Sequence, residues 1–290
     1  MLRLLLSTFI LLSTSATSEP NIVVSINPIH SLVGNITKGI TTPKLLLTNN
    51  QSAHHTHLKP SQLSLIENAD LIIAIHPKME QGLNKALRNI NKGKKLYVYQ
   101  AEQDHSDEHD EHDEHDEHGH DNENYHIWLD INQMQNFAKN LSTKLGLIDP
   151  ANQAIYQKNY ILLNAKLKIL KKNTKDTLAN SKQPIANYSN AFEHFINTNQ
   201  LNQKTLITSK HEERLSLHKI IKAKKSMQTN QVKCLLSTVS VPEKRIKVLT
   251  EGLKINTAKI DILGREFNPD NDQYFKLMNS ITNKVEQCLK

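Results

Sequence analysis

The chain has 290 residues, a net charge of +7 at pH 7 and 38% apolar side chains, which suffices for two modest domains and excludes a wholly disordered protein. The charge is uneven, because ten of the 29 acidic residues lie in Asp104–Asp121 and the rest of the chain carries +17. A basic body with one acidic segment is typical of some nucleic-acid binders. The N-terminus argues against that class, and we expect no nucleic-acid partner.

The first 18 residues have the order of a secretory signal peptide. Arg3 precedes an apolar run from Leu4 to Leu12, and small residues follow through Ala16 and Ser18. The run is too short to span a bilayer as a helix, and the absence of a nearby Cys argues against a lipid anchor. We expect cleavage after Ala16 or Ser18 and a mature protein that is exported to the periplasm and is not embedded in the membrane.

Short apolar runs alternate with helical patterns in the first half of the chain. Strands are predicted at Asn21–Ile26, Pro43–Leu47, Asp70–Ile75 and Lys95–Tyr99. Helices are predicted from Pro28 to Ile36, from Pro60 to Ala69 and from about Met79 to Ile90. The alternation predicts an α/β lobe at residues 19–130, with a mostly parallel sheet flanked by helices.

Residues 104–121 interrupt this lobe with six histidines and ten acidic residues and no apolar side chain. Such a segment cannot bury a core, so we expect a disordered loop. It is either a solvated spacer or a collector of cations, in which carboxylates beside each imidazole attract the metal. The candidate collectors are His105, His109, His112, His115, His118 and His120.

Order is expected to return at Tyr125–Ile131, where His126 lies beside an apolar strand. Residues 131–180 are predicted to be helical, divided by Gly146 and Pro150. The second helix, from about Ala151 to Ala179, would be about 40 Å long. That length is enough to link two lobes.

The alternation resumes in residues 181–290, which are predicted to form a second α/β lobe. Its strands are predicted at Pro184–Asn187, Thr205–Ser209, Lys233–Leu236 and Lys259–Ile262. Cys234 falls in a strand and Cys288 in the last helix. An even pair in an exported protein indicates one disulfide, worth roughly 3–4 kcal/mol; the alternative is two separate thiols.

Histidine is the residue type that most clearly indicates a functional site in this sequence. Glycine-based nucleotide loops and the G-x-S-x-G elbow are absent from the sequence. His54, His55 and His57 lie where a predicted strand leaves the sheet, the place where parallel α/β folds bind ligands. Three imidazoles so close together favour a metal, zinc more than manganese. A lone histidine such as His126 is more often an ordinary core or surface residue.

Four motifs in chain order resemble one family over nearly the whole mature chain. They are "HHTHLKPSQLSLIENADLII", "YHIWLD", "YSNAFEHF" and "IDILG". Together they resemble the periplasmic metal-binding proteins of zinc and manganese ABC importers, especially the high-affinity zinc-uptake type with a His-rich loop. Cys234 and Cys288 resemble the disulfide of its zinc branch. The resemblance implies two α/β lobes bridged by one long rigid helix, a monomer that passes Zn²⁺ (Mn²⁺ less favoured) to an inner-membrane ABC permease, and no enzymatic activity.

The resemblance also implies a ligand set. His54, His126 and Asp261 match metal ligands of the family, whereas its third histidine falls on Ser189, a poor zinc ligand. Water, His55 or His57, or a histidine of residues 104–121 could fill that position.

Three other functions stay open from the sequence. They are a manganese or iron receptor of the same fold, a secreted metallo-hydrolase with Glu193 as general base, and a zinc-sequestering adhesin.

Overall fold

The computed structural model describes residues 19–48, 51–54, 57–99, 123–209 and 214–290. The signal peptide predicted at residues 1–18, the histidines of residues 104–121 and His55 lie outside these ranges. The strands within them are β1 (Ile22–Val24), β2 (Lys44–Leu45), β3 (Leu71–Ala74), β4 (Lys95–Tyr97), β5 (Ile185–Asn187), β6 (Gln203–Leu206), β7 (Cys234–Thr238) and β8 (Asn256–Ile260). The α-helices are α1 (Asn27–Ile36), α2 (Pro60–Glu67), α3 (Gln81–Leu87), α4 (Ile131–Ile148), α5 (Gln153–Leu178), α6 (Glu193–Thr198), α7 (Leu217–Thr229), α8 (Glu243–Thr250) and α9 (Gln273–Leu289).

The strands form two four-stranded sheets, in the orders β2-β1-β3-β4 and β6-β5-β7-β8. Every pairing in both sheets is parallel. The central strands β1, β3, β5 and β7 are buried along their whole length, as expected when helices cover both faces of a parallel sheet. The two-lobed α/β architecture predicted from the sequence is therefore confirmed.

Edge strands differ most from their predicted positions. β6 begins at Gln203 and β8 at Asn256, two and three residues before the apolar runs that predicted them. Both strands lie at an edge of the sheet, and both carry exposed polar residues. Because an edge strand buries only part of its surface, apolarity alone locates it poorly.

The apolar strand predicted at Tyr125–Ile131 is wrong. Ile127–Leu129 forms a 3-10 turn, closed by hydrogen bonds from Leu129 N to the His126 carbonyl (3.1 Å) and from Asp130 N to the Ile127 carbonyl (2.9 Å). These local bonds satisfy backbone groups that a strand would pair with a neighbour. The apolar run reflects burial, since Trp128 at its centre is 0% exposed.

The predicted long helix is α5, whose 26 residues span about 39 Å at 1.5 Å per residue. Its buried face follows the helical period through Leu163, Leu167 and Leu170. It packs against α4, α1 and α9, and one continuous apolar core contains residues of both sheets. The two lobes are thus fused through a shared core, which resists a large hinge motion.

Buried hydrogen bonds also join the lobes. Trp128 Nε1 donates to the Ile262 carbonyl at 2.7 Å, and the Tyr274 hydroxyl donates to the Trp128 carbonyl at 2.9 Å. Tyr274 N also donates to Ser31 Oγ of α1 at 3.1 Å. Trp128 therefore bonds to two separate segments of the second lobe.

Cys234 and Cys288 form the predicted disulfide, with Cα atoms 5.5 Å apart. The bridge fastens β7 to the end of α9 and closes a loop with a sequence separation of 54. Such a loop contributes roughly 3–4 kcal/mol. No helix in the described part of the chain combines the length and apolarity that a bilayer crossing needs.

A buried carboxyl lies at the carboxyl end of β3. Glu80 is 1% exposed, and its Oε2 accepts hydrogen bonds from Ile75 N (2.5 Å) and His76 N (3.3 Å). Burial raises the pKa of Glu80 to about 7, and hydrogen bonds from Ser25 and the two backbone groups offset only part of that rise. The folded protein thus holds this proton more tightly than the unfolded chain does.

We expect this group to make stability fall with rising pH. The pKa rises from 4.5 to about 7 on folding, so its contribution is fully present below pH 4.5 and is lost as pH rises through about 7. The loss amounts to about 3 kcal/mol. In Glu80→Gln, urea unfolding at pH 4.5, 6 and 8 should lack this component, whereas the exposed Glu67→Gln should behave as wild type. Parallel pH profiles for wild type and Glu80→Gln would contradict the assignment.

Candidate metal-binding cleft

A cleft lies between the lobes, built from segments at the carboxyl ends of strands in both sheets. The first lobe supplies the segments before α2 and α3 and the turn after His126, and the second lobe supplies the ends of β7 and β8. Open parallel sheets place ligand sites at this edge. Its lining residues are Ser52, Ala53, His54, Met79, His126, Trp128, Thr238, Val239, Ser240, Asp261, Ile262, Leu263 and Arg265.

The two predicted histidine ligands converge in this cleft. The ring centroids of His54 and His126 are 5.5 Å apart, although 72 positions separate them in sequence. Two imidazoles on one tetrahedral zinc, each with a Zn–N distance of about 2.0–2.1 Å, have centroids about 5 Å apart. The observed spacing fits a shared ion.

Asn124 fixes which nitrogen of His126 can bind a metal. The Asn124 amide nitrogen donates to the Asn190 carbonyl at 2.6 Å, so its Oδ1 must be an acceptor. That oxygen lies 2.8 Å from His126 Nδ1, which therefore carries the proton in the neutral ring. The lone pair is then on Nε2. Partners of this kind orient metal-binding histidines and typically change metal affinity 10–100-fold.

Asp261 faces the cleft from the second lobe, directly after β8. Its carboxylate accepts hydrogen bonds from Leu263 N at 3.0 Å and Arg265 N at 2.5 Å. Gly264 completes this turn with a φ of +64°, a conformation that favours glycine. In the described residues, no three His, Cys, Asp or Glu side chains are placed to hold a metal together. The structure therefore presents a two-histidine half-site, with Asp261 in the opposite wall.

Two of the predicted auxiliary ligands, Ser189 and His57, lie outside the cleft. Ser189 is 2% exposed and precedes the 3-10 turn Asn190–Phe192, and neither it nor the exposed His57 lines the cleft. His194 Nε2 donates to the Asn124 carbonyl at 2.7 Å, and Glu193 Oε2 accepts from the Asn124 amide at 3.1 Å. This part of the second lobe supports the residue that orients His126.

Sequence reasoning missed Asn124, Arg265, Thr238 and Ser240. Asn124 had a usable signal, because an Asn side chain often bonds to backbone two residues further on, and its Oδ1 accepts from His126 N at 3.0 Å. Arg265 directly follows the "IDILG" motif. Thr238 and Ser240 carried no signal, since their approach to the cleft depends on how the lobes pack.

Comparison with known proteins identifies the family. Residues 22–288 match the family described as ZnuA, zinc-uptake complex component A, periplasmic. The chain is 26% identical to the high-affinity zinc uptake system protein ZnuA of Brucella abortus (strain 2308), over 96% of this chain and 94% of the relative.

Two solved structures share the fold. One is the solute-binding protein FpvC of Pseudomonas aeruginosa in complex with Mn²⁺, with a TM-score of 0.79, 14% identity and coverage of 94% of this chain and 98% of the other. The other is the periplasmic metal-binding protein of Candidatus Liberibacter asiaticus, with a TM-score of 0.76, 17% identity and coverage of 93% and 100%. The chain therefore belongs to the ZnuA family of zinc-uptake components, which are solute-binding receptors of ABC transporters and not enzymes.

Proposed function

We propose that this protein is an exported receptor that captures Zn²⁺ in the interlobe cleft and delivers it to an inner-membrane ABC permease. The observation that carries the proposal is the His54–His126 pair, with ring centroids 5.5 Å apart. The pair lies in a cleft between the two lobes of a zinc-uptake family member. The signal-like N-terminus supports a periplasmic location, and we propose that the receptor acts as a monomer.

Zinc is the cargo that the donor atoms favour. Two imidazoles and one carboxylate are common zinc donors, whereas manganese prefers a site richer in oxygen. The fold alone does not choose the metal, because structures similar to this chain hold Mn²⁺ and Ni²⁺. The choice of Zn²⁺ therefore depends on His54 and His126, with Asp261 as the carboxylate.

The third family histidine has no counterpart in the cleft, so the site offers three protein ligands at most from the described residues. A water molecule, His55 or a histidine of residues 104–121 would complete the coordination; His57, which does not line the cleft, would do so only after moving into it. Asp261 lies in the wall opposite the histidines, and binding would draw the two walls together slightly. Because the lobes share a core, release would reverse a small displacement and not a wide opening.

We assign residues 104–121 a second, weaker role. Their six imidazoles alternate with carboxylates, which supply nitrogen and oxygen donors without a fixed geometry. Such a segment would bind several ions, each of them weakly, and would raise the local concentration of metal. It would collect Zn²⁺ for delivery to the cleft and buffer excess metal.

The experiment that tests this assignment is zinc titration by isothermal calorimetry of residues 19–290. We expect one tighter site and several weak ones in the full mature chain. Deleting residues 104–121 should abolish the weak sites and leave the tighter one. A variant with Ser at the six histidines and all ten acids retained separates imidazole binding from charge. If deletion removes all zinc binding, the cleft is not a metal site and the proposal fails.

A further inference from the structure

The side chain of Asn124 uses its whole hydrogen-bonding capacity in a single orientation. Its amide nitrogen donates to the Asn190 carbonyl at 2.6 Å and to Glu193 Oε2 at 3.1 Å. Its Oδ1 accepts from His126 N at 3.0 Å and lies 2.8 Å from His126 Nδ1. An Asn amide has two N–H donors and two acceptor lone pairs, so this arrangement leaves none of them unused.

The opposite orientation of this amide has no matching partners. Turning it over would place N–H groups against His126 N, which can only donate, and an oxygen against a carbonyl and a carboxylate, which can only accept. Asn124 is 8% exposed, so water has little access to repair the mismatch. Buried polar groups left without partners are costly. Asn190 and Glu193 therefore determine which atom of Asn124 faces the His126 ring.

His194 holds the main chain of the same segment. Its Nε2 donates to the Asn124 carbonyl at 2.7 Å. Glu193 and His194 are consecutive residues at the start of α6, in the second lobe, whereas Asn124 and His126 belong to the first. Neither Glu193 nor His194 lines the cleft, so each can influence a metal there only through other residues.

We propose that Glu193 and His194 are positioning residues for the metal ligand His126 and act through Asn124. Glu193 and the Asn190 carbonyl keep Asn124 Oδ1 toward the ring, and His194 keeps the main chain in place. With that oxygen beside Nδ1, the neutral ring carries its proton on Nδ1 and its lone pair on Nε2. Side chains of the second lobe thus prepare a ligand of the first lobe. The inference rests on the proposed zinc-binding function in one respect, that His126 is a ligand.

The test determines the tautomer of His126 by two-dimensional proton–nitrogen NMR of metal-free residues 19–290, at a pH where the ring is neutral. The signals of His126 are identified by their loss in His126→Gln. Wild type should carry the proton on Nδ1. Glu193→Leu removes the acceptor and His194→Phe removes the donor. Each should show a mixture in which part of the population carries the proton on Nε2, the nitrogen that an unconstrained imidazole prefers to protonate.

The same two variants should bind zinc about 3- to 10-fold more weakly, which is less than the 10–100-fold typical of a group that touches the ligand itself. Competition with a chelator measures this, because it reports the tightest site. Glu193→Gln keeps an acceptor oxygen and His194→Gln supplies an amide N–H, so both should stay close to wild type in tautomer and affinity. Glu193→Ala and His194→Ala carry the same expectation as the Leu and Phe variants and replace either one that does not fold.

Glu286→Leu is the matched control. Glu286 is a partly buried glutamate of α9 that does not line the cleft, and its replacement should change neither the tautomer of His126 nor zinc affinity.

A proton on Nε2 in wild type, or an unchanged tautomer in both Glu193→Leu and His194→Phe, would overturn the inference while leaving the receptor function intact. Wild-type zinc affinity in both variants despite a shifted tautomer would overturn it too. If wild type has no tight zinc site although the tautomer responds as expected, the receptor function fails, and with it the role of this network in metal binding.

Discussion

Replacing His126 by Ala should lower the affinity of the cleft for Zn²⁺ by at least about 100-fold. Loss of a partner behind a ligand typically costs 10–100-fold, and loss of the ligand itself should cost no less. His126 is 4% exposed and its ring is fixed by Asn124, and among the described residues that line the cleft only His54 and Asp261 offer another imidazole or carboxylate. Calorimetry on the chain lacking residues 104–121 measures the effect without interference from the weak sites.

Two further variants are compared with His126→Ala. Asn124→Ala should have a smaller effect, and His218→Ala is a control that should have none. Asn124→Ala keeps the imidazole but removes the acceptor on Nδ1, so it should weaken zinc binding by about 10-fold or more. His218 is exposed on α7, in the second lobe, and His218→Ala should bind zinc as wild type does. Unchanged affinity in His126→Ala would place the metal elsewhere and would end the assignment of the cleft.

The sequence was most informative where burial is continuous. The apolar runs of β1 and β3, and Pro60 at the start of α2, located these elements to within two residues. Burial on both faces makes a strand apolar at every position, which a linear pattern records directly. The edge strands β6 and β8 are partly exposed. Their polar ends therefore give no apolar run that would locate them in the sequence.

The site was predictable only in part, for a related reason. His54 was predicted as one of three histidines at the exit of a strand, whereas His126 was predicted as a ligand only through the family resemblance of the "YHIWLD" motif. The role of Asn124 depends on Asn190, 66 positions away, and Trp128 meets Ile262, 134 positions away. Contacts at such separations depend on how the two lobes pack, and no local pattern reports them. Ser189 shows that a resemblance in sequence does not fix a position in space. The family resemblance made Ser189 a possible auxiliary ligand, whereas the fold buries it outside the cleft.

Trp128→Ala should lower the free energy of unfolding by about 5 kcal/mol. The side chain is 0% exposed, and truncating a buried Trp costs about 3–5 kcal/mol. The substitution also breaks the 2.7 Å hydrogen bond from Nε1 to the Ile262 carbonyl, which adds roughly 1 kcal/mol. Because the lobes share one core, the loss should appear as a single shifted transition in urea unfolding.

Trp128→Phe separates the hydrogen bond from the packing. It keeps most of the aromatic contact with His126, whose ring centroid is 5.1 Å away, but it cannot donate to the Ile262 carbonyl. We expect a loss of about 1–3 kcal/mol and weaker zinc binding, because the wall that carries Asp261 is then less firmly held against His126. Phe137→Ala is the matched control, since Phe137 is 4% exposed in α4 and does not line the cleft. It should destabilise the protein by about 3–5 kcal/mol without changing zinc affinity at a temperature where the protein is folded. If Trp128→Phe and Phe137→Ala both leave zinc affinity at the wild-type value, the interlobe bond stabilises the fold but does not position the site.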